Sequence, residues 1–107
     1  MNVITNNEIN LTIALSALEH VYDPEIGLDV VSLGLIYQID FDEDAKKVFV
    51  SMTLTTQFCP MGESIVGNVT QAVEEAFPGY TVQVDLTFNP PWSYDRISEE
   101  GRAFLGR

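Results

Sequence analysis

The first apolar pattern along the chain has helical spacing. Four apolar residues recur at intervals of four and two more lie beside them: Ile9, Ile13, Ala17 and Val21, then Ala14 and Leu18. This spacing predicts a helix from Asn7 to Val21, with Asn6 or Asn7 as its N-cap and Glu8 in its first turn. The helix should stop at Asp23-Pro24, because the residue before a proline is pushed out of the helical region.

Three later segments alternate between apolar and polar residues, as strands do. The segments are Leu35 to Phe41, Val48 to Thr55 and Tyr80 to Phe88. The residues expected on their buried sides are Leu35, Tyr37, Ile39 and Phe41, then Val48, Val50, Met52 and Leu54, then Val82, Val84, Leu86 and Phe88. The polar run from Asp42 to Lys46 is typical of a hairpin turn. One-sided alternation in all three strands predicts a sheet covered by helices on one face.

A second helix lies between the second and third strands. Its apolar stripe repeats every 3.6 residues and comprises Ile65, Val66, Val69, Ala72, Val73, Ala76 and Phe77. Pro60 suits its first position, and Pro78-Gly79 ends it. A short terminal helix is expected from Ser98 to Leu105. The order α-β-β-α-β-α predicts one two-layer α/β domain over residues 1–107, with a small three-stranded sheet; the strand that pairs with the third strand stays open.

Charge and cysteine content limit the classes of partner and of site that the protein can have. Sixteen acidic residues against five basic ones give a net charge of −11, which disfavours nucleic acid and anionic membranes as partners. Such a surface suits a basic partner protein or a cation, or it only keeps the protein soluble. A single cysteine excludes an internal disulfide and any site built from several cysteines of one chain. The segment from Met1 to Leu11 has no leader-like pattern, and no apolar run approaches the ~20 residues of a membrane span, so we expect a reducing cytoplasm.

Cys59 is the first candidate for chemistry because of its position. It stands directly before Pro60, at the expected junction of the second strand and the second helix. The positive end of a helix favours an anion and so lowers the pKa of a thiol placed there. The thiolate is both the nucleophile and the metal ligand. The alternative is a small buried hydrophobic residue, which is the common situation of a free cysteine.

Three other features have structural as well as functional interpretations. Asp23-Pro24-Glu25 places two carboxylates around a rigid bend, either as part of a site or as a solvated helix stop. Asn89-Pro90-Pro91-Trp92 ends the third strand, and Trp92 is expected to pack on the core as a lid. His20 is more typical of a surface imidazole than of a metal ligand or base.

Several motifs occur in order and in register, and together they carry a resemblance to a known family. The opening motif is Asp23-Pro24-Glu25-Ile26 followed by Asp29 to Tyr37. The cysteine motif is Met52-Thr53-Leu54-Thr55-Thr56 leading to Cys59-Pro60. The closing motif is Asn89-Pro90-Pro91-Trp92, Asp95-Arg96-Ile97-Ser98, Glu100-Gly101-Arg102 and Leu105-Gly106. From Ala17 to Arg107 the chain resembles the metal–sulfur cluster biosynthetic family (PaaD-like and SufT-type assembly factors). It differs at Gln57-Phe58, where relatives often have Pro-Gly.

The resemblance implies a non-enzymatic role in iron–sulfur protein maturation, with Cys59 as the functional residue. Cys59 would hold iron, persulfide or the edge of a transient cluster, and Asp23 and Glu25 would tune its proton or offer an oxygen ligand. Thr55, Thr56 and Pro60 would support the site. We therefore expect Asp23 to lie close to Cys59.

The expected partners are the iron–sulfur assembly machinery and client apo-proteins, with neither nucleic acid nor membrane. A cluster needs about four ligands, so a homodimer, a partner's cysteines or a small thiol must complete it. Two alternatives stay open: a thiol enzyme with Cys59 as nucleophile, or a docking adaptor in which the cysteine is incidental.

Overall fold

The computed structural model describes residues 3–23, 26–54, 62–88 and 91–104. The strands in these ranges are β1 (Ile4–Thr5), β2 (Ile36–Asp42), β3 (Lys47–Met52) and β4 (Thr81–Leu86). The helices are α1 (Glu8–Leu18), α2 (Gly62–Ala76) and α3 (Glu99–Phe104), with a 3-10 turn at Tyr94–Arg96. This arrangement confirms the predicted α/β class. No helix in the described ranges has the length and apolar character needed to cross a bilayer.

The described strands form one mixed sheet in the order β1-β2-β3-β4. The two outer pairs, β1 with β2 and β3 with β4, are parallel, and the central pair is antiparallel. The third predicted strand therefore pairs with the second one, and α2 provides the crossover that a parallel connection requires.

The predicted count of three strands is wrong, because β1 was missed. Its two residues are too few to show alternation, and Ile4 pairs with Gln38 of β2. The side chain of Asn6 extends the pairing: its Nδ2 donates to the Phe41 carbonyl, and its Oδ1 accepts from the Phe41 amide, both at 2.9 Å. Asn7, the next residue, is the N-cap of α1 and accepts from the amide of Asn10 at 3.0 Å.

The apolar row that indicated α1 is only partly buried. Ile9 and Ile13 are 76% and 46% exposed, whereas the core side of the helix consists of Leu11, Ala14 and Leu18. Apolar residues occupy more than one side of α1, so a spacing of four can be traced along more than one face. The helix also ends at Leu18, three residues earlier than predicted.

A bulge in β2 changes which residues face the core. The register shifts between Ile36, which pairs with Met52, and Gln38, which pairs with Ser51. Ile36 is consequently buried, and Tyr37, which simple alternation assigned to the core, is only half-buried. The extra residue of a bulge has no partner across the ladder, so Ile36 and Ile39 are both buried although they are three positions apart. The predicted core positions Leu35, Ile39 and Phe41 are confirmed.

The stripe of α2 and the buried side of β3 agree with the sequence analysis. Ile65, Val69 and Val73 are buried with Phe77, whose ring centroid lies 5.2 Å from that of Phe41. The buried residues of β3 and its extension are Val48, Val50, Met52 and Leu54. In β4, Val82 and Val84 are half-buried and pack against this core, but Leu86 is 44% exposed, contrary to expectation. The helix begins at Gly62 within the described residues; the predicted start at Pro60 lies outside them.

Candidate functional site

Of the predicted site residues, the structure describes only Asp23. The others lie outside the described residues: Glu25, Thr55, Thr56, Cys59 and Pro60. The described part of the site consists of the segments that flank Cys59 and the elements that lead to Asp23. Leu54 precedes Cys59 by five residues, and Gly62 follows it by three.

Asp23 is a buried turn residue, not a solvated helix stop. It is 2% exposed, and its Oδ1 accepts a hydrogen bond from the Ile26 amide at 3.3 Å. Its own amide donates to the Leu28 carbonyl at 2.9 Å, and its carbonyl accepts from the Gly27 amide at 2.8 Å. Gly27 has a φ of +87°. A buried carboxylate needs such partners, so Asp23 shapes the turn between α1 and the following segment.

A series of backbone hydrogen bonds connects the Asp23 turn to the end of β3. The amide of Val30 donates to the Val21 carbonyl at 2.9 Å, and the amide of Leu35 donates to the Val30 carbonyl at 3.1 Å. The amide of Thr53 then donates to the Leu35 carbonyl at 2.9 Å. Thr53 is fully buried, although alternation places it opposite the core side of β3. The end of β3, which leads toward Cys59, and the turn that carries Asp23 are thus both hydrogen-bonded to the stretch of chain from Leu28 to Leu35.

Residues of the closing motif donate hydrogen bonds to this stretch. The Trp92 Nε1 donates to the Leu33 carbonyl at 2.7 Å, and the Ser98 amide donates to the Ser32 carbonyl at 2.8 Å. Asp29 closes the same turn from within, because its Oδ2 accepts from the Ser32 amide at 3.0 Å. Trp92 packs against the core, in agreement with its predicted role as a lid. The predicted start of the terminal helix is also confirmed, since the Ser98 Oγ accepts from the Gly101 amide at 3.0 Å.

Arg96 makes a contact that sequence reasoning missed. Its Nε donates to the Gly34 carbonyl at 3.1 Å, and its guanidinium lies 4.1 Å from the centroid of the Tyr37 ring. Gly34 has a φ of +75°, and a Cβ there would stand 2.3 Å from the Arg96 carbonyl oxygen. The only feature of the sequence that pointed to a close approach here was the glycine at position 34, directly before an apolar strand. These contacts give the opening and closing motifs a structural function: each holds the other in place.

The described charges do not converge on a metal centre. Among the described residues, no group of three or more His, Cys, Asp or Glu side chains is arranged to hold a metal ion. His20 is exposed and lines a groove with Tyr22 and Glu75, so it behaves as the surface imidazole that was expected. Asp42, Glu43 and Asp44 are exposed around the β2–β3 turn, also as predicted.

Comparison with known proteins places the chain in a family. The family model described as iron–sulfur cluster assembly protein matches residues 11–86. The chain is 40% identical over 92 residues to the Fe-S protein maturation auxiliary factor YitW of Bacillus subtilis, covering 86% of this chain and 89% of that protein. It is 37% identical over 86 residues to the Fe-S protein maturation auxiliary factor SufT of Staphylococcus aureus, covering 80% and 97%.

The crystal structure of a domain of unknown function from Bacillus anthracis has the same fold. It superposes with a TM-score of 0.86 at 36% identity, covering 92% of this chain and 93% of that one. The family match spans α1 to β4, including the segment that contains Cys59. The resemblance carried by the sequence motifs is thereby confirmed: the chain belongs to the iron–sulfur cluster assembly protein family.

Proposed function

We propose that the protein is an iron–sulfur maturation factor that carries iron, persulfide or a transient cluster on Cys59. Assembly or maturation of iron–sulfur clusters is the role of its family. One observation carries the assignment to Cys59: the single cysteine lies in a segment whose two ends are anchored in the core. Leu54 precedes it and Ile65 follows it, and both are buried. Rigid flanks favour a site, because they limit the positions that the thiolate can reach.

The number of cysteine ligands favours a protein that transfers a cluster over one that stores it. Iron–sulfur clusters take about four thiolate or equivalent ligands, and this chain has one cysteine. The remaining ligands would come from a client protein, a second copy or a small thiol. Such a shared cluster is cargo, since it leaves when a client offers a complete set of cysteines. Asp23 and Glu25 would assist by tuning the pKa of the thiol through their charge or by offering an oxygen ligand to iron.

A carrier fits the described residues better than an enzyme with turnover of its own. A thiol nucleophile needs a base within hydrogen-bond reach. The only histidine, His20, is exposed in a groove between α1 and α2. The relatives are named maturation auxiliary factors, which agrees with a non-catalytic role.

The proposed partners are the assembly machinery and client apo-proteins. The net charge of −11 favours basic protein surfaces and disfavours nucleic acid and anionic lipid. A reducing cytoplasm would keep the single thiol available.

Anaerobic reconstitution tests the proposal. The protein is incubated with ferric iron, sulfide and glutathione, desalted, and examined by visible absorption and by iron and sulfide analysis. Wild type should retain a cluster chromophore, and Cys59→Ser should retain none. The matched control, Cys59→Ser with Ala45→Cys, also has one cysteine but carries it at the exposed β2–β3 turn, at the opposite end of β3.

The control should fail like Cys59→Ser. Equal chromophore in all three proteins would contradict the proposal and favour a docking adaptor with an incidental cysteine. Equal chromophore in wild type and the control alone would show that any surface thiol suffices, which also contradicts a specific role for Cys59.

A further inference from the structure

Helix α1 has a second apolar face that the described chain leaves uncovered. Ile9 and Ile13 are 76% and 46% exposed, and the half-buried Ala17 follows at the same spacing of four. The opposite side of the helix, with Leu11 and Leu18, already packs into the core. Contiguous exposed apolar side chains mark interaction sites, whereas isolated ones are common on any surface.

The exposed line of α1 continues into a groove between α1 and α2. The groove has a volume of about 390 Å³; its apolar lining includes Ala17, Val21 and Ala72, and its polar lining consists of His20, Asn68, Gln71 and Glu75. Tyr22 lies at the same groove and is 55% exposed. A row of apolar side chains that leads into a groove is the shape that receives an amphipathic segment. We call Ile9, Ile13, Ala17, Tyr22 and the groove the α1–α2 surface.

Of aspartate, glutamate, lysine and arginine, only glutamate occurs on α1, its C-cap and α2, and Glu75 lines the groove. The acidic residues of α1, its C-cap and α2 are Glu8, Glu19, Glu63, Glu74 and Glu75. Neither helix contains a lysine or arginine, and the sequence has neither before Lys46; His20 lies in the groove. The basic residues are Lys46 and Lys47 at the β2–β3 turn and three arginines from Arg96 onward. These two helices therefore carry acidic side chains and no lysine or arginine to offset them.

We infer that the α1–α2 surface is the docking site for a basic amphipathic segment of a partner protein. Its apolar side chains would cover Ile9 and Ile13 and enter the groove beside Tyr22. Its lysines and arginines would face the glutamates that flank the surface, which steers association and fixes orientation. A second copy of this chain fits poorly, because it presents the same acidic surface and a net charge of −11. This docking site does not depend on the chemistry proposed for Cys59.

A synthetic peptide probe tests the inference on the full-length protein. The probe is an 18-residue helix of Leu and Lys with leucines at i, i+3, i+4 and i+7, labelled for fluorescence anisotropy (on the order of five turns). Two control peptides replace all leucines by serine or all lysines by glutamate. We expect binding of the first peptide only, weakening as salt is raised.

Variants then locate the binding. Ile9→Ser with Ile13→Ser should raise the Kd about tenfold or more, because apolar anchors dominate such interfaces. Ile4→Ser removes another exposed isoleucine, on β1, and should leave the Kd unchanged. Glu19→Lys with Glu75→Lys should also weaken binding, and it keeps the apolar face intact in case the serine variants unfold.

Unchanged affinity in both double variants, or equal loss with Ile4→Ser, would overturn the inference. So would a wild-type dimer in sedimentation that dissociates in Ile9→Ser with Ile13→Ser, since a second copy would then be the occupant. Cluster reconstitution separates this inference from the proposed function. Cys59→Ser should bind the peptide normally, and the isoleucine variants should still form the chromophore.

Discussion

Replacing Gly34 by alanine tests how the closing motif is held against the turn before β2. Gly34 has a φ of +75°, and an added Cβ would stand 2.3 Å from the carbonyl oxygen of Arg96 and 2.7 Å from its Cβ. Distances this short cannot be tolerated, and the nearest atom belongs to backbone. Either the turn or the segment that carries Arg96 must therefore move.

Three contributions set the size of the effect. A left-handed conformation costs a non-glycine residue about 1–2 kcal/mol. Separating the two segments would break the hydrogen bond from Arg96 to the Gly34 carbonyl, which is worth about 1.5–3 kcal/mol for a charged donor. It would also weaken the contact of Arg96 with the Tyr37 ring, worth about 0.5–1 kcal/mol at a partly exposed site. We expect Gly34→Ala to lower the free energy of unfolding by about 3–6 kcal/mol, a large share of the ~5–15 kcal/mol of a typical domain.

Two other glycines provide matched controls. Gly79 has a φ of +89° but nothing within 4 Å of an added Cβ, so Gly79→Ala should cost only the conformational term of about 1–2 kcal/mol. Gly67 lies within α2, and a Cβ added to it would also have no atom of another element within 4 Å. Gly67→Ala should stabilise the protein by about 0.8–1 kcal/mol, because glycine is a poor helix former.

Urea unfolding followed by circular dichroism and by fluorescence gives the measurement. The single tryptophan, Trp92, bonds to Leu33 next to Gly34, so its fluorescence reports the same contact. The midpoints should fall in the order Gly67→Ala, wild type, Gly79→Ala, Gly34→Ala. If Gly34→Ala unfolds at the midpoint of Gly79→Ala and keeps native Trp92 emission, the packing of Arg96 on Gly34 is refuted.

Three further predictions follow. The alkylation rate of Cys59 should rise with pH through a midpoint below that of a free thiol (about 8.5), because a helix start stabilises the thiolate; a midpoint at or above that value refutes this. Val69→Asp should unfold the domain by burying an unpaired charge, whereas Asn68→Asp on the exposed side of α2 should melt like wild type; a cooperative wild-type melt of Val69→Asp would show the stripe to be misassigned. Asp23→Asn should lower the pKa of the Cys59 thiol if the carboxylate lies within about 4–6 Å, and the exposed control Asp85→Asn should not; equal alkylation midpoints in both variants would exclude direct coupling.

The sequence by itself determined those helices, strands and caps that depend only on residues close to one another in the chain. The stripe of α2, the alternation of β3, the Asn7 cap and the Ser98 start of the last helix were all predicted correctly. Each depends on periodicity or on one side chain near its own backbone, so no distant contact is needed to specify it. The family followed from motifs in register, which also require no knowledge of contacts.

Tertiary structure decided what depends on residues far apart in sequence. The buried face of α1 follows from which side meets the core, because apolar residues occupy more than one side of the helix. The bulge at Tyr37 exists only relative to β3, and β1 exists only because β2 offers an edge for Ile4 to pair with. Asp23 is buried because the chain folds back at Leu28, and Gly34 is constrained because Arg96, 62 residues later, packs on it. The periodicity of apolar residues cannot predict such contacts, since their free energy arises only when two segments distant in sequence meet.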